Sequence, residues 1–200
     1  MNAGIYLIWD LPAADGVVPE SFFAALGDDL PCGVQLRAKA QSKPPAVLDA
    51  LSRACALRRI PFFINDQRAW LRTGHSGIHL GQDDGSSDGL DGFWVSRSTH
   101  DLTQVQRAVL EPEVRALGFG PLRHTTSKVD ALPPLGLEAL GAAVVAAGSK
   151  PVIAIGGISG EDLVAIRRSG AHAAAVIGAV WHANDPPSAL RMLVRAWNAS

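Results

Sequence analysis

Residues 60–84 read IPFFINDQRAWLRTGHSGIHLGQDD and hold the side chains best suited to chemistry. Two apolar runs, 60–64 and 77–80, each stop at a polar tip. Asn65 and Asp66 follow the first; Gln82, Asp83 and Asp84 follow the second. Short β-branched and aromatic runs ended by a turn read as buried strands. Residues 67–76, with Ala69, Trp70 and Leu71, leave room for a short crossover helix. A strand, a crossover and a second strand form a βαβ unit whose parallel strands end on one edge. Asp66 and Asp84 would then face one cleft. With Asn65 and Gln82 beside them they make an all-oxygen set. Such a set suits a hard cation such as magnesium that keeps water and takes a substrate phosphate. An aspartate after a strand is also a common helix N-cap. This stretch alone leaves the two readings level.

Those acids act together only if a larger sheet positions them. The chain has 200 residues, enough for one domain with a sizeable core. A hydrophobic share of 48% with 18% charged residues is ordinary for a globular protein. A formal net charge of -1 gives no electrostatic reason for a nucleic-acid or anionic-membrane partner. Cys32 and Cys55 form no CxxC and suggest no disulfide framework. No apolar run approaches membrane-spanning length, and the first residues lack the basic segment of a signal peptide. The expectation is a cytoplasmic protein acting on small molecules. Composition does not set the oligomeric state and is compatible with a homodimer.

The pattern predicts strands over 4–9, 33–36, 60–64, 77–80, 93–95, 114–119, 151–155 and 173–177. Helices are predicted from Pro19, from Pro44 and Pro45 to Leu57, from Asp101 to Leu110, over 135–147, after Ser159, and over 186–197. Residues 85–92 are Gly/Ser-rich and read as a loop with at most one helical turn. Strand-then-helix units alternate without a break in composition, which predicts a parallel sheet with helical crossovers. The rhythm fits a single-domain (β/α)8 TIM barrel over residues 1–200. An open doubly wound sheet fits less well, since no GxGxxG follows the first strand.

Residues after each barrel strand converge on one face. They are Gln35, Arg37 and Lys39; Asn65 and Asp66; Gln82, Asp83 and Asp84; Ser98 and His100; Thr125, Ser127 and Lys128; Gly156 and Gly157; and Gly178. Arg37, Lys39 and Lys128 suit an anion, with Arg bidentate and Lys a point charge. Any one alone reads as a solvated charge. Three beside a carboxylate pair suit a metal-bound pyrophosphate. Gly156 and Gly157 opening a helix could present N–H groups to phosphate, or could merely make a tight turn. Among the histidines, His75, His172 and His182 read as surface residues and His79 as a satisfied core residue. His100 is the one to weigh as an acid or base.

Six segments in this order resemble one family: QLRAK (35–39), FFINDQ (62–67), GIHLGQDD (77–84), SRSTH (96–100), GPLRHTTSK (120–128) and PVIAIGGIS (151–159). The chain resembles thiamine-phosphate synthase, a (β/α)8 barrel, and its relative thiazole tautomerase. The resemblance implies a transferase of thiamine biosynthesis. It would join a hydroxymethylpyrimidine diphosphate to a thiazole phosphate and release pyrophosphate. By resemblance Gln35, Arg37, Lys39, Asn65, Ser98 and Lys128 hold the pyrimidine diphosphate, and Asp66 and Asp84 bind Mg2+. Arg37, Lys39, Ser98 and Lys128 would carry the catalysis. Thr125, Thr126, Ser127, Gly157, Ile177 and Gly178 would hold the thiazole phosphate. Ala38 stands where the family usually has Glu, Arg123 and His124 replace an apolar pair, and Gly178 stands where serine is usual. The alternatives are a tautomerase using His100 and a non-catalytic phosphate-ligand barrel. Retention of both Asp66 and Asp84 favours the synthase.

Overall fold

Runs of Ile, Val, Phe, Leu and Ala flanked by turns become strands here because both of their faces are covered. The computed structural model describes residues 1–39, 41–125 and 132–199. Its strands are β1 (Gly4–Asp10), β2 (Gly33–Arg37), β3 (Phe62–Asn65), β4 (Gly77–Leu80), β5 (Trp94–Thr99), β6 (Val114–Phe119), β7 (Val152–Ile155) and β8 (Ala173–Val176). They pair in parallel in sequence order, and β8 closes onto β1. The helices are α1 (Pro19–Ala25), α2 (Val47–Leu57), α3 (Leu102–Leu110), α4 (Gly136–Ala147), α5 (Leu163–Arg168), α6 (Gly178–Trp181) and α7 (Pro186–Ala199). The arrangement is the expected (β/α)8 barrel.

Alternation along each strand divides the core in two. Ile5, Leu7 and Trp9 of β1, with Val34, Leu36, Ile64 and Ile78, face the helices and build the larger cluster. Trp9 packs there against Phe22, Phe23 and Trp181, and the Trp181 Nε1–H donates to the Ile8 carbonyl at 2.8 Å. Each buried aliphatic or Phe side chain contributes about 1.5–3 kcal/mol. The alternate residues Tyr6, Ile8, Phe63, Ala116, Ile153, Ala173 and Ala175 fill the barrel interior.

The segment after β3 and the end of β5 depart from the sequence expectation, and α6 is a helix the sequence does not predict. The segment 67–76 forms only a 3₁₀ turn, Arg68–Trp70, because Trp70 is its only buried apolar side chain and no apolar stripe sustains a helix. Strand β5 continues through Ser96, Ser98 and Thr99, residues the sequence assigns to its polar end. Their hydroxyls are hydrogen-bonded within the barrel wall and interior, so polarity there does not mark a strand end.

Candidate active site

Asp66 follows β3 directly and takes a left-handed φ of 61°. Aspartate tolerates that region better than most residues. Its backbone N–H donates to the His79 carbonyl at 2.8 Å, which seats the turn on β4. Beyond β4, Asp84 Oδ2 accepts the Gly81 N–H at 2.5 Å. Asp84 thus closes its own turn, but no helix follows it, so it is not the helix N-cap that the alternative reading supposes. Its carboxyl is also hydrogen-bonded to that of Asp66. The helix N-cap reading fails for both aspartates: Gln67, not Asp66, stands at the start of the 3₁₀ turn after β3, and no helix follows Asp84.

Burial, the Asp84 hydrogen bond and the Asp84 charge push the Asp66 carboxyl up to about 7, against the pull of Lys39 and Arg37. Burial raises Asp84 too, but the hydrogen bonds from Asp66 and the Gly81 N–H, with Lys39 and His79 nearby, hold it below the usual carboxylate range. The neighbouring Asp84 carboxylate therefore favours a proton on Asp66 below about pH 7. A cation that binds such a pair competes with that proton. Among the described residues no group of three or more His, Cys, Asp or Glu could hold a metal. Two carboxylates fit an ion such as magnesium, which binds through one or two acids plus waters and phosphate.

The neighbouring residues are held by a polar network in the barrel mouth. Tyr6 donates to Gln35 Oε1 at 3.2 Å, and Gln35 Nε2 donates to Asn65 Oδ1 at 2.6 Å. His79 bridges two hydroxyls, with Nδ1 2.8 Å from Ser96 Oγ and Nε2 2.8 Å from Ser98 Oγ. Gln82 donates to the Ser98 carbonyl. Arg37 is largely buried and ion-paired with Asp10, which stands opposite it in the β1–β2 register. Lys39 is exposed. Arg37 is thus partly neutralised, and Lys39 is the more available cation. Sequence reasoning did not anticipate Asp10, Tyr6 and Ser96, and gave His79 only a core role. The inward phase of strand alternation was the available signal for Tyr6, Ser96 and His79.

The β6–β8 side carries the rest. Gly156 and Gly157 do not open the helix. Ser159 is the N-cap, reciprocally bonded with Asp162, and a 3₁₀ turn, Gly160–Asp162, leads into α5. Gly157 has a left-handed φ of 65°, and a Cβ there would stand 2.3 Å from the His124 carbonyl oxygen. Glycine is what lets the segment ending in His124 and Thr125 pack over β7. Leu122 N–H to Ile155 O at 2.9 Å and Arg123 N–H to Gly156 O at 3.0 Å fix that contact. The Arg123 side chain pairs with Asp162 at 2.9 Å. Ile177 precedes α6 and Gly178 begins it, and a Cβ at 178 would stand 3.1 Å from the His182 ring. Ala38 is buried in the outer core. Thr126, Ser127 and Lys128 lie outside the described residues. His100 Nδ1 is 2.5 Å from the Gly120 carbonyl oxygen. His75 is buried edge-on against Phe62, not at the surface as the sequence suggests, because its Nδ1 accepts the Arg72 N–H inside the turn.

Strand order and closure define a (β/α)8 barrel, with Asp66, Asp84 and their polar neighbours at the carboxyl ends of its strands. The family model for thiamine monophosphate synthase matches residues 13–180. The chain belongs to this family. It is 37% identical over 171 residues to the thiamine-phosphate synthase of Synechococcus sp., covering 81% of this chain and 47% of that one. It is 39% identical over 174 residues to that of Anaeromyxobacter dehalogenans, covering 83% and 77%. It therefore spans about half the length of the Synechococcus relative. A thiamine phosphate pyrophosphorylase structure from Pyrococcus furiosus superposes with a TM-score of 0.83 at 23% identity, over 98% of this chain and 96% of that one. At that identity the likeness concerns the fold.

Proposed function

We propose that this chain is a thiamine-phosphate synthase. In this reading it joins 4-amino-5-hydroxymethyl-2-methylpyrimidine diphosphate to a thiazole phosphate, giving thiamine phosphate and pyrophosphate. The observation that carries the reading is the placing of the Asp66 and Asp84 carboxyls together beside Lys39 and Arg37.

The bond between the pyrimidine methylene carbon and the diphosphate oxygen breaks, and its electron pair leaves with pyrophosphate. The aminopyrimidine ring carries the resulting positive charge. The thiazole nitrogen lone pair then forms the new carbon–nitrogen bond. Lys39 and Lys128 balance the charge that builds on the leaving group, and Arg37 orients it while held by Asp10. Ser98, aimed by His79, and Asn65, aimed by Gln35, hold the pyrimidine end. Thr125, Ser127, Gly157, Ile177 and Gly178 hold the thiazole phosphate. Asp66 and Asp84 would hold magnesium, which when bound would supply Lewis-acid neutralisation of the diphosphate. No protein nucleophile is required. Among the described residues no helix is long and apolar enough to cross a membrane. A cytoplasmic site of action suits this biosynthetic role.

A coupled assay of pyrophosphate release with both substrates tests the reading. Release is expected to require magnesium, and Asp66→Ala should lower it by about 100-fold or more with the circular dichroism spectrum unchanged. Thiazole isomerisation without metal would instead identify a tautomerase. Tight ligand binding without turnover would identify a non-catalytic barrel.

A further inference from the structure

The connection from β4 to β5 carries Asp84 and contains no helix. Carbonyls that a helix would satisfy internally must find other partners there. Two arginines supply them from opposite sides. Arg97 lies on the outward face of β5 and is only 5% exposed. Its Nη1 donates to the carbonyls of Gly81 at 3.0 Å and Gly85 at 2.9 Å, and its Nη2 donates to Glu111 Oε2 at 2.7 Å. Glu111 is itself anchored: its carboxylate accepts from Ser87 Oγ at 3.1 Å, and its backbone carbonyl accepts from Lys150 Nζ at 2.7 Å. Arg68, in the turn just after Asp66, donates to the carbonyls of Asp84 at 3.5 Å, Asp88 at 3.2 Å and Ser86.

We propose that Arg97 and Arg68 are positioning residues for the metal centre: by gripping the main chain on both sides of Asp84, they hold its carboxylate against Asp66 before any cation arrives. The inference rests on reading that pair as the magnesium site. When both acids are ionised, as cation binding requires, they repel and would separate if their backbones were free to move. A planar guanidinium reaches two carbonyls at a fixed spacing, which a lysine ammonium does not. The Arg97 Nε is buried with no hydrogen-bond partner. The guanidinium is therefore oriented by the loop and Glu111, not by full satisfaction of its own donors.

The test is calorimetric titration of magnesium into the protein with pyrophosphate present, at pH 8. Arg68→Met and Arg97→Met are expected to weaken magnesium binding by about tenfold or more, as loss of a group supporting metal ligands does. Arg97→Lys should fall between wild type and Arg97→Met. Raising magnesium should restore kcat in all three, since no variant removes a group that touches substrate. If Arg97→Met does not fold, Arg68→Met carries the test, because its guanidinium is partly exposed and its loss leaves no buried acid unpaired. Unchanged magnesium affinity in folded Arg68→Met and Arg97→Lys, or no magnesium binding by wild type, overturns the proposal. Wild type that binds magnesium pyrophosphate but forms no thiamine phosphate rejects the synthase reading and leaves the clamp to be judged on the variants' affinities. Normal turnover with unaltered affinities does the reverse.

Discussion

Asp66 is the residue whose protonation state ties structure to chemistry. Its folded pKa, raised to about 7, lies above the unfolded value of 3.8. Between about pH 4 and 7 the metal-free fold keeps a proton that the unfolded chain has released, so stability falls as pH rises through that window. Asp84 is depressed and acts oppositely: its contribution is present above 3.8 and is lost as pH falls through its folded value. In the proposed reading, magnesium would displace the proton on Asp66. Its affinity is expected to fall by up to about tenfold per unit as pH drops below 7. Calorimetry at pH 6 in two buffers of different ionisation enthalpy should register close to one proton released per ion, and at pH 8 close to none. Equal affinities at the two pH values would show that the acids are not coupled. The pair was legible in the sequence because consecutive parallel strands end on one edge. The Arg37–Asp10 ion pair was not, because it depends on the register between β1 and β2, which no local pattern encodes.

Elements were legible wherever an apolar run and a turn agreed. Strands β1 to β4 and β6 to β8 follow that pattern closely. The end of β5 did not, since Ser96 and Ser98 face a polar interior and carry no apolar signature. The double glycine after β7 was legible as a motif but not as a device. Only the fold shows that Gly157 makes room for the His124 carbonyl. Gly157→Ala would force both a disfavoured φ and a displacement of the chain leading to Thr125. Strain of this kind costs about 1–3 kcal/mol. The expected outcome is a lower melting temperature and a several-fold higher KM for thiazole phosphate, with the magnesium activation constant unchanged. A rise in that constant would mean that the β7 rim also supports the metal side, which the separation of the two regions around the barrel opposes.

At the scale of the molecule, apolar side chains plug most of the barrel interior, while Gln35, Asn65, His79 and Ser98 join polar networks nearer the carboxyl ends of their strands. Reactive groups therefore come from strands far apart in sequence, and a ligand that bridges them braces the closed sheet. Magnesium with pyrophosphate would tie β2 to the turns after β3 and β4. A ligand at 100 times its Kd stabilises by about 2.7 kcal/mol. For a chain of this size each kcal/mol moves Tm by about 2–4 °C, so an upward shift of about 5–11 °C is expected. Pyrophosphate alone should give a smaller shift, because Lys39 and Arg37 face it without the bridging ion. Asp66→Ala should reduce the combined shift to that smaller value. Gly157→Ala should keep the full shift from its lower starting Tm, since its subsite lies across the barrel. A full shift in Asp66→Ala would place the cation elsewhere and remove the carboxyl pair from the chemistry.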